Sequence, residues 1–154
     1  MYWYVKNTLE LNGYKHYEIS NFAKKGKKSK HNWNCWEQKE YIGLGATAHS
    51  YLNGIRYSNS AFTETGDWSF KDKIIQEKQT LEEQKKEYML LGLRKIEGVS
   101  IQKFKEKFVK NPIFLFREEI EKLVEQQLLV VDGDWIRLTN KGMDLANLVW
   151  EEFV

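Results

Sequence analysis

Three amphipathic helical stretches followed by two short apolar runs around an Asp-Gly-Asp turn constrain the C-terminal half of this 154-residue chain more than any other feature. Thr80-Leu81-Glu82-Glu83 has the form of a capping box and predicts a helix to about residue 95, with Tyr88, Met89, Leu91, Gly92 and Leu93 as its apolar face. Gly98 breaks the chain. Ser100 then caps a second helix, in which Ile101, Phe104 and Phe108 recur at helical spacing and mark the buried side. Asn111-Pro112 opens a third, with proline where its missing N–H is harmless, and Phe116, Ile120, Leu123, Val124 and Gln127 predict its core face. Residues 128–131 and 135–138 flank Asp132-Gly133-Asp134 as a β-hairpin, and residues 140–150 form a last helix. By periodicity alone this is a small α+β domain.

The first segment has a different grammar, aromatic and punctuated by glycine, and the boundary is expected near Thr65-Gly66-Asp67, giving units 1–66 and 67–154. A helix over residues 2–11 stops where Asn12-Gly13 offers the left-handed conformation of helix ends. A strand over 14–19, a lysine-rich loop over 24–30 and a short helix over 32–41 follow. Two strands then turn at Asn53-Gly54, a strong hairpin signal. Eight Tyr, eight Phe and six Trp supply enough bulky side chain for a core.

Composition excludes several functions. A single cysteine rules out a disulfide framework, residues 1–10 lack the charged start and apolar run of a signal peptide, and no window approaches the ~18 apolar residues of a membrane span. The expected compartment is the cytoplasm. The 24 Lys+Arg against 22 Asp+Glu leave a charge of +2, too near neutral to announce nucleic acid or an anionic membrane. The third helix bears Arg117 and Lys122 against Glu118, Glu119, Glu121 and Glu125, and the hairpin adds Asp132 and Asp134. A DNA-reading surface faces phosphates, so a nucleic-acid-binding module is disfavoured. Lys24, Lys25, Lys27, Lys28 and Lys30 read either as a solvated loop or as a contact for an acidic partner, such as porphyrin propionates or a tRNA-like polyanion. With no Ser/His/Asp set and no zinc-type spacing, no catalytic residue is assigned to this chain alone.

Three stretches carry a resemblance: Tyr17-Glu18-Ile19-Ser20-Asn21-Phe22-Ala23, His31-Asn32 with Trp36, and Gly43-Leu44-Gly45-Ala46-Thr47-Ala48-His49-Ser50. Together they resemble the radical S-adenosylmethionine proteins of the oxygen-independent coproporphyrinogen III oxidase type, in particular their heme-chaperone branch. The resemblance implies the terminal part of a partial β/α barrel followed by a winged-helix-like domain. The family's three-cysteine motif is missing, and Cys35 alone cannot hold a [4Fe–4S] cluster. The chain is therefore expected to be a C-terminal portion of a longer protein whose cluster and S-adenosylmethionine sit elsewhere.

In the chaperone branch the pattern is His-Asn-x-x-Tyr-Trp with the histidine as proposed heme-iron ligand. Here His31-Asn32-Trp33-Asn34-Cys35-Trp36 keeps His31, Asn32 and Trp36 and puts Cys35 in place of the tyrosine. The resemblance implies that these three residues face heme, with His31 on the iron. Cys35, four residues on, is either a competing thiolate or a small packing residue. Trp33 and Trp36 either line a porphyrin face or belong to the core. The glycine-rich run, with Thr47 where the family has glycine, implies that Gly45, Ala46, Ala48 and His49 approach S-adenosylmethionine. The implied activity is binding heme or porphyrin and delivering heme to an accepting protein; the alternative is oxidative decarboxylation of coproporphyrinogen III. An interrupted barrel leaves unpaired strands, from which homodimerisation is expected.

Overall fold

Helix α1 (Tyr2–Leu11) ends as anticipated, where Asn12 closes it with backbone hydrogen bonds to the last turn and Gly13 takes φ +80°. It belongs to a computed structural model of the chain that describes residues 1–62 and 73–154. The expected boundary at residues 65–67 lies outside the described residues. Strands β1 (Lys15–Glu18) and β2 (Asn21–Ala23) pair in antiparallel fashion, and the lysine loop leads into helix α2 (Lys30–Trp36). A second sheet follows in the order β3 (His49–Leu52), β4 (Ile55–Asn59) and β5 (Lys73–Lys78), all antiparallel. At its first turn Asn53 and Gly54 have φ +50° and +72°, the paired positive angles that a tight hairpin needs and that an Asn-Gly pair tolerates. Strand β5 was not foreseen, because all six of its residues are exposed and no alternation betrays it.

Helix α3 (Leu81–Gly92) opens on the anticipated capping box: Thr80 Oγ1 accepts the Glu83 N–H at 3.2 Å and Glu83 accepts the Thr80 N–H at 2.6 Å. After it come β6 (Val99–Ser100), α4 (Ile101–Phe108), α5 (Pro112–Leu115), α6 (Arg117–Glu125), β7 (Leu129–Asp132), β8 (Trp135–Leu138), α7 (Asn140–Asp144) and α8 (Ala146–Glu151). The third sheet runs β6-β8-β7. The third predicted helix is thus two helices, broken at Phe116 (φ −115°, ψ 41°), and the last is broken at Leu145 in the same way. Phe116, Ile120 and Leu123 face the core as expected, but Val124 is 41% exposed. Gln127 also misses the core: it lies beyond the helix end at φ +60°, where the chain turns into β7.

The core of this half joins α3, α4, α6, α8 and the third sheet. Met89, Leu93, Phe104, Ile136 and Val149 are fully enclosed, and Phe104 packs edge-on to Tyr88 at 5.6 Å. Losing a ring such as Phe104 would cost about 3–5 kcal/mol, a large part of the stability of such a chain. Two backbones approach so closely that only glycine fits. A Cβ on Gly98 would lie 2.1 Å from the Ile136 carbonyl oxygen, and one on Gly142 2.0 Å from that of Leu128.

The two halves share backbone. Ile19 N–H donates to the Arg94 carbonyl at 3.0 Å and Ile96 N–H to the Tyr17 carbonyl at 3.2 Å, so the turn after α3 pairs with the end of β1. This joint positions the segment that bears His31 against the C-terminal half.

Candidate functional site

Helix α2 starts where Ser29 caps it, its Oγ accepting the Asn32 N–H at 3.3 Å. His31 and Cys35, one turn apart, share a face of this helix, with Nε2 and Sγ 3.9 Å apart. The imidazole is exposed and stands edge-on to Tyr41, ring centroids 6.2 Å apart. Cys35 is half-buried, and burial pushes its thiol above the ordinary range, so the thiolate is scarce at neutral pH. That environment favours imidazole over sulfur as the donor. Asn32 is half-buried, and its N–H is spent on the cap.

Trp36 is not brought beside His31. Five residues along a helix turn it to another side, where the Arg94 guanidinium lies 4.6 Å from its ring centre and 5.1 Å from that of Trp150. Arg94 in turn lies 3.6 Å from Glu18, whose side chain is wholly buried. Glu18 Oε1 accepts the Ser20 N–H at 2.9 Å and the Asn21 side-chain amide at 2.5 Å. The Tyr17–Ala23 run therefore builds the joint between the halves, and Trp36 serves that joint. Among the described residues four buried polar atoms here have no hydrogen-bond partner: Glu18 Oε2, Arg94 Nε, Trp36 Nε1 and Trp150 Nε1.

Gly45, Ala46 and Ala48 lie in the loop ahead of β3, and His49 is the first residue of that strand. Asn59 ties the loop down, donating from its side-chain amide to the Gly43 and Gly45 carbonyls at 3.2 and 2.8 Å, while its N–H reaches the Ala48 carbonyl at 3.0 Å. Gly45 has φ +104° with open space where a Cβ would point, so the loop leaves room for a ligand's approach. Thr47 adopts φ +58°, a left-handed conformation disfavoured for a β-branched residue and easy for the glycine it replaces in the family pattern. His49 is exposed at the start of β3, opposite Ser58.

A polar cluster that no motif signals lies beneath α2. Gln38, buried at φ +49°, donates to the Gln84 carbonyl at 3.0 Å and to Glu87 at 2.9 Å, and its side-chain oxygen accepts from Lys107 at 2.9 Å. Arg56 completes it with a 2.6 Å ion pair to Glu87. These partners are far apart in sequence, so no local pattern reveals them. Among the described residues no three His, Cys, Asp or Glu side chains converge as a metal site. With one cysteine the donor set does not fit a [4Fe–4S] cluster.

Residues 79–145 match the HemN C-terminal domain family. The chain is 41% identical to the heme chaperone HemW of Lactococcus lactis and 38% identical to that of Bacillus subtilis, covering 100% of this chain and 41% and 42% of those proteins. It thus spans about two-fifths of the length of the curated relatives it matches. Among solved structures it resembles the coproporphyrinogen III oxidase HemN of Escherichia coli, described as a radical SAM enzyme, with a TM-score of 0.68 and 15% identity over 98% of this chain and 39% of that one.

Proposed function

We propose that this chain is the C-terminal part of a radical S-adenosylmethionine protein of the coproporphyrinogen III oxidase-like family, in its HemW branch, and that the whole protein binds heme and passes it to an accepting protein. The observation that carries the reading is His31: its imidazole is exposed on α2, with Nε2 3.9 Å from the Cys35 sulfur, and a neutral imidazole is a good donor to heme iron. Heme bound there would supply an iron that accepts a nitrogen donor, and this chain's task would be to present the His31 imidazole and hold it in place. Tyr41 stands beside the ring, and the Ser29 cap fixes the first turn of α2.

In the same reading the open loop of Gly45, Ala46 and Ala48, with His49 after it, faces S-adenosylmethionine, and the cluster rests on cysteines that this chain does not carry. Units 1–66 and 67–154 remain our proposed division. The order of helix, short strand, helices and hairpin in residues 81–138 supports the winged-helix-like reading of the second unit. We place the protein in the cytoplasm; no helix among the described residues is long and apolar enough to cross a membrane. Among the described residues no strand pairs with the outer edge of β5, which supports self-association.

Titration of hemin into the chain, followed at the Soret band, tests the heme reading. A saturable one-to-one spectrum is expected for the unsubstituted chain and for Cys35→Ala, and its loss for His31→Ala. No saturable binding, or a His31→Ala spectrum like that of the unsubstituted chain, would overturn the assignment.

A further inference from the structure

The lysine loop and Trp33 form a second feature of α2, one that the iron ligand does not use. A hollow of about 530 Å³ beside the helix is lined by Gly26, Lys28, Lys30, Trp33 and Asn34. Its apolar wall is the Trp33 ring, over which the Lys28 ammonium sits at 4.2 Å and the Lys95 ammonium at 5.4 Å. Lys30 and Asn34 share one face of α2, and His31 and Cys35 occupy the next face around the helix.

A solvated loop would scatter its charges into water. Here two ammonium groups gather over one indole ring with Lys30 at the rim, and among the described residues none of Lys24, Lys25, Lys27, Lys28 and Lys30 makes an ion pair. Lysines unpaired with carboxylate next to a half-buried aromatic ring that lines a hollow suit a ligand that is flat and carries its own carboxylates. Resting on the heme reading above, we propose that Trp33, Lys28 and Lys30 form the propionate end of a porphyrin site: the macrocycle edge lies against Trp33 and the lysines pair with the two carboxylates. Lys95 reinforces it from the C-terminal half. Burial pushes its ammonium below the ordinary lysine range, partly offset by Glu37 and Glu97.

The site is tested without iron, so that axial ligation plays no part. Mesoporphyrin, which carries two carboxylates, and its bis-amide, which carries none, are titrated into the chain and followed by porphyrin emission. Saturable mesoporphyrin binding is expected, about tenfold weaker in Lys28→Gln/Lys30→Gln, and about tenfold weaker for the bis-amide with the unsubstituted chain. Both lysines are exposed, so the double variant should keep its far-ultraviolet dichroism and melting temperature. Equal affinity of the double variant, equal affinity for the bis-amide, or no binding of mesoporphyrin would each overturn the proposal. The iron-ligand reading fails separately, in the hemin spectrum of His31→Ala.

Discussion

Replacing Glu18 by alanine should unsettle the chain far more than an average substitution. The carboxylate is wholly buried, accepts hydrogen bonds from the Ser20 N–H and the Asn21 amide, and lies 3.6 Å from Arg94. Removing it strands both donors and leaves the guanidinium held between Trp36 and Trp150 without its counter-charge. Removal of one partner from a buried ion pair costs about 3–5 kcal/mol. For a chain of this size each kcal/mol lowers the melting temperature by about 2–4 °C, so a drop of about 10 °C is expected. Glu18→Gln keeps an oxygen acceptor for the two donors and should cost about 1–2 kcal/mol. Urea and thermal melts followed by circular dichroism would measure Glu18→Ala, Arg94→Ala and the double variant. The double variant should cost at least about 1 kcal/mol less than the two single costs added together, because the residues are in contact. Additive costs, or a Glu18→Ala melt within about 2 °C of the unsubstituted chain, would refute the view that this pair secures the joint.

Gly142→Ala should cost about 2 kcal/mol or more in urea unfolding, since its Cβ would meet the Leu128 carbonyl oxygen at 2.0 Å; an unchanged midpoint would mean that the backbone yields there. The Cys35 thiol, raised by burial, should react with iodoacetamide along a rate–pH curve displaced to higher pH than that of the urea-unfolded chain, and coincident curves would contradict its burial. Burial, aided by Lys6, holds the His16 imidazole below its ordinary value despite opposing contributions from the Ile19 carbonyl, Glu10 and Glu18, and the ring stacks on Phe22 at 4.5 Å. The folded state thus prefers the neutral ring, and its contribution is present above the unfolded value near 6.5 and lost as pH falls through the lower folded one. Melts of His16→Gln should show a flatter stability profile than the unsubstituted chain between about pH 5 and 7, and parallel profiles would count against this.

What the sequence made legible follows from the range of the forces involved. The Asn53-Gly54 and Asp132-Gly133-Asp134 turns, the Thr80 and Ser100 caps and the Phe104 and Phe108 stripe depend on residues a few positions apart, and all appear where local chemistry puts them. Strands β2, β5 and β6 are short or fully exposed and exist through pairing with distant chain, as Val99 does with Ile136. The breaks at Phe116 and Leu145 interrupt sequences that are locally good helix, where tertiary packing overrides propensity. At the site, the i, i+4 relation of His31 and Cys35 was readable. The turning of Trp36 toward Arg94, 58 positions later in the chain, was not, because one motif residue was recruited by a partner that no spacing rule identifies.

The helix α8 lies outside the matched domain but inside its core. The recognisable module stops at residue 145, yet Val149 and Phe153 beyond it are fully enclosed, and Phe153 packs against Phe116 at 5.5 Å. A polypeptide trimmed to the shared module would leave a hole in its own interior. The stretch matched by the domain family is therefore smaller than the stretch that closes its core, and a transplant of the module into another protein would have to bring the last helix with it.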